Sequence, residues 1–167
     1  NLVTDGLPGL ALTAQPEEAR IMRRPPRPAG ESLFAGGMWQ HILLIGLAIG
    51  GISLGVQAWA LQQGLPHWQT MVFTVLTFSQ LAHVLVIRND SDSLFTTGLL
   101  QNRALIAAVL LTVLLQLAVI YLPWLNAIFH TAPLSLHELA LCLTLPLLII
   151  AIVEIEKWRE RRNLQTN

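Results

Sequence analysis

The sequence predicts an all-α fold, a polytopic membrane helical bundle made of the end of one broken helix plus four transmembrane helices. Three observations predict it. Hydrophobic residues make up 53% of the 167 and charged ones only 12%, where soluble domains carry about 25% charge. All ten Lys and Arg residues fall in three clusters: Arg20, Arg23, Arg24 and Arg27, then Arg88 and Arg103, then Lys157, Arg159, Arg161 and Arg162. A soluble bundle would scatter charge along every exposed helix face instead. Finally, Trp39, Trp59, Trp68, Trp124 and Trp158 all lie near the ends of apolar runs, where amphipathic rings prefer the membrane interface.

Residues 1–13 are too short to span a bilayer and read as the end of a helix. Asn1, Thr4 and Asp5 stand at i, i+3 and i+4, so their side chains converge on one helical face. Gly6 and Pro8 then break the helix, freeing backbone carbonyls that a cation can use. A carboxylate at membrane depth is costly and marks a functional site by default. Oxygen-only ligands suit a hard cation such as calcium. The segment therefore reads as part of an ion site. Since the chain opens in mid-motif and without Met, it reads as a fragment of a longer protein.

Residues 14–36 form a Pro/Arg loop whose Arg23-Arg24-Pro25-Pro26-Arg27-Pro28 run is polyproline-like. It is either a stiff connector or a docking segment for a cytosolic domain, and its arginines can also meet anionic headgroups. Residues 37–61 are apolar and uncharged, the first full span. Within it Gly46, Gly50, Gly51 and Gly55 make two overlapping small-xxx-small pairs, which suit close helix contact or reflect the general tolerance of membrane helices for glycine. Residues 69–87 form the second span, with Gln80 and His83 as polar exceptions. A loop over 88–103 carries Arg88 and Arg103. The third span covers 104–122 and the fourth 136–153, which starts with His137 and Glu138. Glu138 reads as an acid near the positive end of the helix dipole. The tail 154–167 is basic and reads as a solvated helix with internal ion pairs. Loops with basic residues alternate with loops lacking them, as four crossings require, so the basic loops and the tail are placed in the cytoplasm.

The single cysteine, Cys142, reads as a buried, inert thiol. His41, His67, His83, His130 and His137 show no metal-ligand spacing with Cys142 or the carboxylates. The first residues show neither the basic region nor the small-residue cleavage site of a secretory signal peptide, so none is expected here, and the sequence has no Gly-rich phosphate loop.

Asn1-Leu2-Val3-Thr4-Asp5-Gly6-Leu7-Pro8, together with Ile21-Met22-Arg23-Arg24-Pro25-Pro26-Arg27, resembles the C-terminal membrane portion of P-type cation-transporting ATPases, above all the sarcoplasmic-reticulum-like calcium pumps and their bacterial relatives. The first motif resembles the unwound sixth membrane helix of those pumps and the second the cytosolic loop after it. The four spans then correspond to helices seven to ten. The resemblance implies that Asn1, Thr4 and Asp5 coordinate the transported cation, with Asp5 dominant as the only formal charge. It also sets Gln80 where two-site calcium pumps carry a Glu. An amide offers one neutral oxygen, so the chain is similar to single-ion pumps at this point, and a structural cross-helix bond is the competing reading of Gln80 and His83. Calcium is the ion the resemblance implies, with manganese or a monovalent ion behind it.

The resemblance also implies ATP and Mg2+ in the full-length pump, but no cofactor in this chain. The family's Asp-Lys-Thr-Gly-Thr phosphorylation motif does not occur here, so the chain alone is expected to be inactive in ATP hydrolysis. Its partners are expected to be the cation, the lipid bilayer and the remaining helices and cytosolic domains of the same pump, with no nucleic acid. A different class of reading is a non-catalytic assembly or regulatory module that uses the glycine-rich span and the Pro/Arg loop as partner surfaces. A third is a soluble all-helical bundle that happens to be apolar.

Overall fold

The structure, a computed structural model, describes residues 2–13, 38–87 and 102–166, and the side chains within those ranges except at 2–5, 160, 161 and 163–166. The loops expected over 14–36 and 88–101, and Asn1, lie outside the described residues.

Seven helices are described: α1 (Leu2–Thr13), α2 (Met38–Gln62), α3 (Trp68–Ile87), α4 (Arg103–Tyr121), α5 (Pro123–Phe129), α6 (Leu136–Thr144) and α7 (Leu147–Thr166). Among the described residues there is no strand. Four stretches are long and apolar enough to cross a membrane: α2, α3, α4 and the run Leu136–Arg159 across α6 and α7. The all-helical bundle is thus the fold that the sequence predicts.

α3 is the most enclosed of the four. It packs against α1, α2, α4, α6 and α7, which makes it the centre of the bundle. α2 and α3 form an antiparallel hairpin. Its turn is closed by Gly64, at φ 65°. Leu65 N–H donates to Ala60 O at 2.9 Å and Gly64 N–H to Leu61 O at 3.0 Å. This is the bond pair of a Schellman cap, whose left-handed residue favours glycine.

Pairs of backbone and side-chain bonds fix the other junctions. Asn102 caps α4 by accepting from Leu105 N–H at 2.9 Å, and its amide donates to Ala11 O at 3.2 Å, tying the end of α1 to the start of α4. At the far end of α4, the Asn126 amide donates to Val119 O and Ile120 O, and the Thr131 hydroxyl to Val119 O. These bonds satisfy carbonyls that a helix terminus leaves without partners. Ser135 and Glu138 form a capping box at the start of α6, which gives Glu138 a defined capping role at the helix start.

Three local expectations differ from what is observed. Gly6 and Pro8 do not interrupt α1, which is helical from Leu2 to Thr13 with Pro8 inside it. Membrane helices tolerate an internal proline when neighbours pack around it, and Pro8 is buried. The missing N–H of Pro8 still deprives the Thr4 carbonyl of its helical partner. Next, the fourth membrane segment is not one helix: it breaks at Leu145–Pro146, because Pro146 has no N–H for the Cys142 carbonyl. Lastly, the tail is not simply solvated. α7 continues to Thr166, and Lys157 is buried.

The core has two centres. Near the α2–α3 turn, Val56, Ala60, Met71, Val75, Ile120, Leu134 and Cys142 pack together. At the opposite end Ile45, Val86 and Val153 do so. Cys142 is fully buried as expected. The outer surface is strongly apolar, with Leu47 74%, Leu54 66% and Leu114 63% exposed, which is the surface a bilayer accepts and water does not. Beside each glycine of the α2 series, space within 4 Å is open, so none of the described helices uses that close approach.

Candidate cation site

The site expected from the sequence lies on α1 and α3, and α1 packs along both α3 and α4. The backbone at Thr4 and Asp5 is helical. Their side chains, and the whole of Asn1, lie outside the described residues. The fourth candidate, Gln80, is described: it is partly buried on α3, and its Oε1 is buried without a hydrogen-bond partner. A buried carbonyl-type oxygen with no partner costs about 1–3 kcal/mol. Such an atom calls for an explanation, and an ion is one of them.

Gln80 ends a polar series along α3. Thr70, Thr74 and Thr77 share one helical face, and all three are buried. The first two are satisfied. The Thr74 hydroxyl donates to Thr70 O at 2.7 Å and accepts from the Gln116 amide of α4 at 3.2 Å, while Thr70 Oγ1 accepts from Ala132 N–H at 2.9 Å. Further along, Thr77 Oγ1 and Ser79 Oγ are, like Gln80 Oε1, buried and without a partner. The unsatisfied oxygens therefore concentrate in a stretch of four residues around the middle of the most enclosed helix. Sequence reasoning picked out Gln80 but missed Thr77 and Ser79, because hydroxyls in membrane helices usually bond back to a carbonyl one turn earlier.

His83 is the other polar exception of α3. Its Nε2 lies 3.2 Å from His41 Nε2, and His41 Nδ1 lies 2.6 Å from Glu156 Oε2. The cross-helix bond weighed as the competing reading is thus made by His83, whereas the carbonyl oxygen of Gln80 has no such partner. Among the described residues, no group of three or more His, Cys, Asp or Glu side chains is placed to hold a metal ion. On α3, the described side chains offer a cation a set of neutral oxygens.

A model of the family described as cation transporting ATPase, C-terminus matches residues 1–159. The chain belongs to that family. As a cation-transporting ATPase C-terminus with four apolar helices, it is a multi-pass integral membrane segment. Calcium-transporting ATPase 1 of Bacillus cereus is 34% identical over 94% of this chain and 20% of its own length. The calcium-transporting ATPase of Bacillus subtilis is 38% identical over 81% of this chain and 15% of its own. Human calcium-transporting ATPase type 2C member 1 is 32% identical over 96% of this chain and 18% of its own. The chain therefore spans about a fifth of the length of the curated relatives it matches.

Proposed function

We propose that this chain is the C-terminal membrane segment of an ATP-driven calcium pump and supplies part of the path of the transported ion. In this reading Asp5, with Asn1 and Thr4, ligates calcium from α1, and Gln80 adds a neutral oxygen from α3. Asp5 provides the charge that balances the ion at membrane depth. Calcium takes six to eight oxygens, so the remaining ligands come from other helices of the pump. Phosphorylation of the cytosolic domains then shifts α1 and changes access and affinity at Asp5. The basic loops and the end of α7 lie on the cytoplasmic side.

The observation that carries this reading is the buried, partnerless Gln80 Oε1, on the central helix against which α1 packs. Two others support it: the Thr4 carbonyl that Pro8 leaves without a helical partner, and relatives that are themselves calcium-transporting ATPases. The test uses the full-length pump. Asp5→Asn should raise the calcium concentration for half-maximal phosphorylation by about tenfold or more, and Gln80→Leu by less, since it removes a neutral oxygen rather than a charge. Unchanged calcium dependence in Asp5→Asn removes Asp5 from the site.

A further inference from the structure

Three spans of the bundle meet at a cluster that the cation site does not use. His41 lies in the first turn of α2, His83 in the last turns of α3 and Glu156 midway along α7. The residues are far apart in sequence, separated by 42 and 115 positions, yet their polar atoms form one chain. Glu156 Oε2 is 2.6 Å from His41 Nδ1, and His41 Nε2 is 3.2 Å from His83 Nε2. The ring centroids are 5.4 Å apart and the planes 27° from parallel, so with the Nε2 atoms facing each other the rings meet edge to edge. That is the alignment an N–H···N bond requires.

We propose that His41, His83 and Glu156 form a one-proton binding site that joins α2, α3 and α7. The argument is a count of hydrogens. A neutral imidazole carries one N–H, a cationic one carries two, and a carboxylate only accepts. Glu156 fixes a hydrogen on His41 Nδ1. With both rings neutral, His41 Nε2 is then an acceptor and His83 Nε2–H donates to it. With one proton added, His41 carries N–H on both nitrogens, and His83 shifts to the tautomer whose Nε2 accepts; the same proton can instead reside on His83. Every bond of the chain survives in either form. A second added proton puts N–H against N–H across 3.2 Å, which breaks the bond and sets two cations side by side.

Charge gives the same answer. Without the added proton the cluster carries the single negative charge of Glu156, and with it the cluster is neutral. A neutral cluster is the cheaper one inside a membrane span. All three residues fall within the apolar spans, and the side chains are partly buried, at 29% exposed for His41 and 22% for Glu156.

Other titratable groups on the three helices are confined to α7. Glu154 has interactions of its own, Lys157 directs its ammonium to Val86 O at 2.7 Å, Arg159 and Arg162 are exposed, and the side chains of Glu160 and Arg161 are not described. α2 and α3 carry no other ionisable side chain. The remaining helices packed on α3 bring Asp5 on α1, whose side chain is not described, Arg103 and Tyr121 at the two ends of α4, both exposed, and His137, Glu138 and Cys142 on α6. Glu138 is engaged in its capping box and Cys142 is near Met71 O, beside the other core centre. The two imidazoles and Glu156 are joined into one chain here.

The site is tested in the full-length pump, reconstituted in lipid nanodiscs with 15N-labelled histidine, by nitrogen NMR from about pH 8 to about pH 5, the range in which histidine titrates. The wild type should take up one proton across the two rings. His83→Gln should also take up one, on the ring that remains, and the double variant His41→Gln/His83→Gln none. Two protons in the wild type, one on each ring, overturn the proposal, as does none. A zinc titration at pH 7 separates the remaining alternative: zinc shifting both Nε2 resonances at stoichiometric concentration, and abolishing the proton step, makes this a metal site instead. The wild-type count decides on its own should a variant fail to fold.

Discussion

Lys157 lies in the same charged run as Arg159 and Arg162, both exposed, yet it is buried. Ile149, Val153 and Lys157 follow at intervals of four along α7 and are all buried, so the face that packs on α3 does not stop where the charges begin. The ammonium donates to Val86 O in the last turn of α3, which satisfies a terminal carbonyl and places a cation at the negative end of that helix. Lys157→Met keeps most of the stem and loses this bond, and should destabilise the membrane domain by about 2 kcal/mol, read as a lower thermal midpoint of the full-length pump in detergent. An unchanged midpoint would show that the bond contributes nothing. Residue-level reading of the sequence succeeded where the signal was local. Cys142, marked as buried by its apolar surroundings, is the example. It failed for Lys157 and for the His41–Glu156 contact, because the partner of one is a backbone carbonyl and that of the other lies 115 residues away.

At the level of elements, the α2–α3 hairpin depends on one backbone conformation. Gly64 sits at φ 65°, where a Cβ would meet no neighbouring atom but would strain its own backbone. Gly64→Ala should therefore cost about 1–2 kcal/mol, seen as faster thermal inactivation of the pump with unaltered calcium dependence. Inactivation at the wild-type rate would mean the turn relaxes to another form. Helices were legible in the sequence because apolar runs of about 20 residues have few alternatives in a membrane. Their interruptions were not. Hydropathy registers the apolar character of 136–153 but not the hydrogen bond that Pro146 removes, and residue type marks Gly6 and Pro8 as breakers without the packing that keeps α1 helical. The short helix α5 escaped notice for a related reason. It lies in a stretch that reads as a loop, and its role is to carry Asn126 back to the end of α4.

The whole molecule is organised around α3, a helix enclosed on most sides by α1, α2, α4, α6 and α7, while the leucine-rich outer surfaces of α2 and α4 face outward. Its polar side chains divide by position. Thr70 and Thr74 fasten α3 to α4 and to the loop before α6, His83 fastens it to α2 and through His41 to α7, and the unsatisfied oxygens of Thr77, Ser79 and Gln80 lie between. Under the proposed function, this gap of unmet oxygens between side-chain bonds at both ends receives the passing cation. The most direct test of that account is calcium occlusion by the full-length pump, measured with radioactive calcium in detergent under conditions that trap the bound ion. The wild type should hold one calcium per pump, since Gln80 brings no charge to a second site, and Asp5→Asn should hold none at the same free calcium. Undiminished occlusion by Asp5→Asn would contradict it.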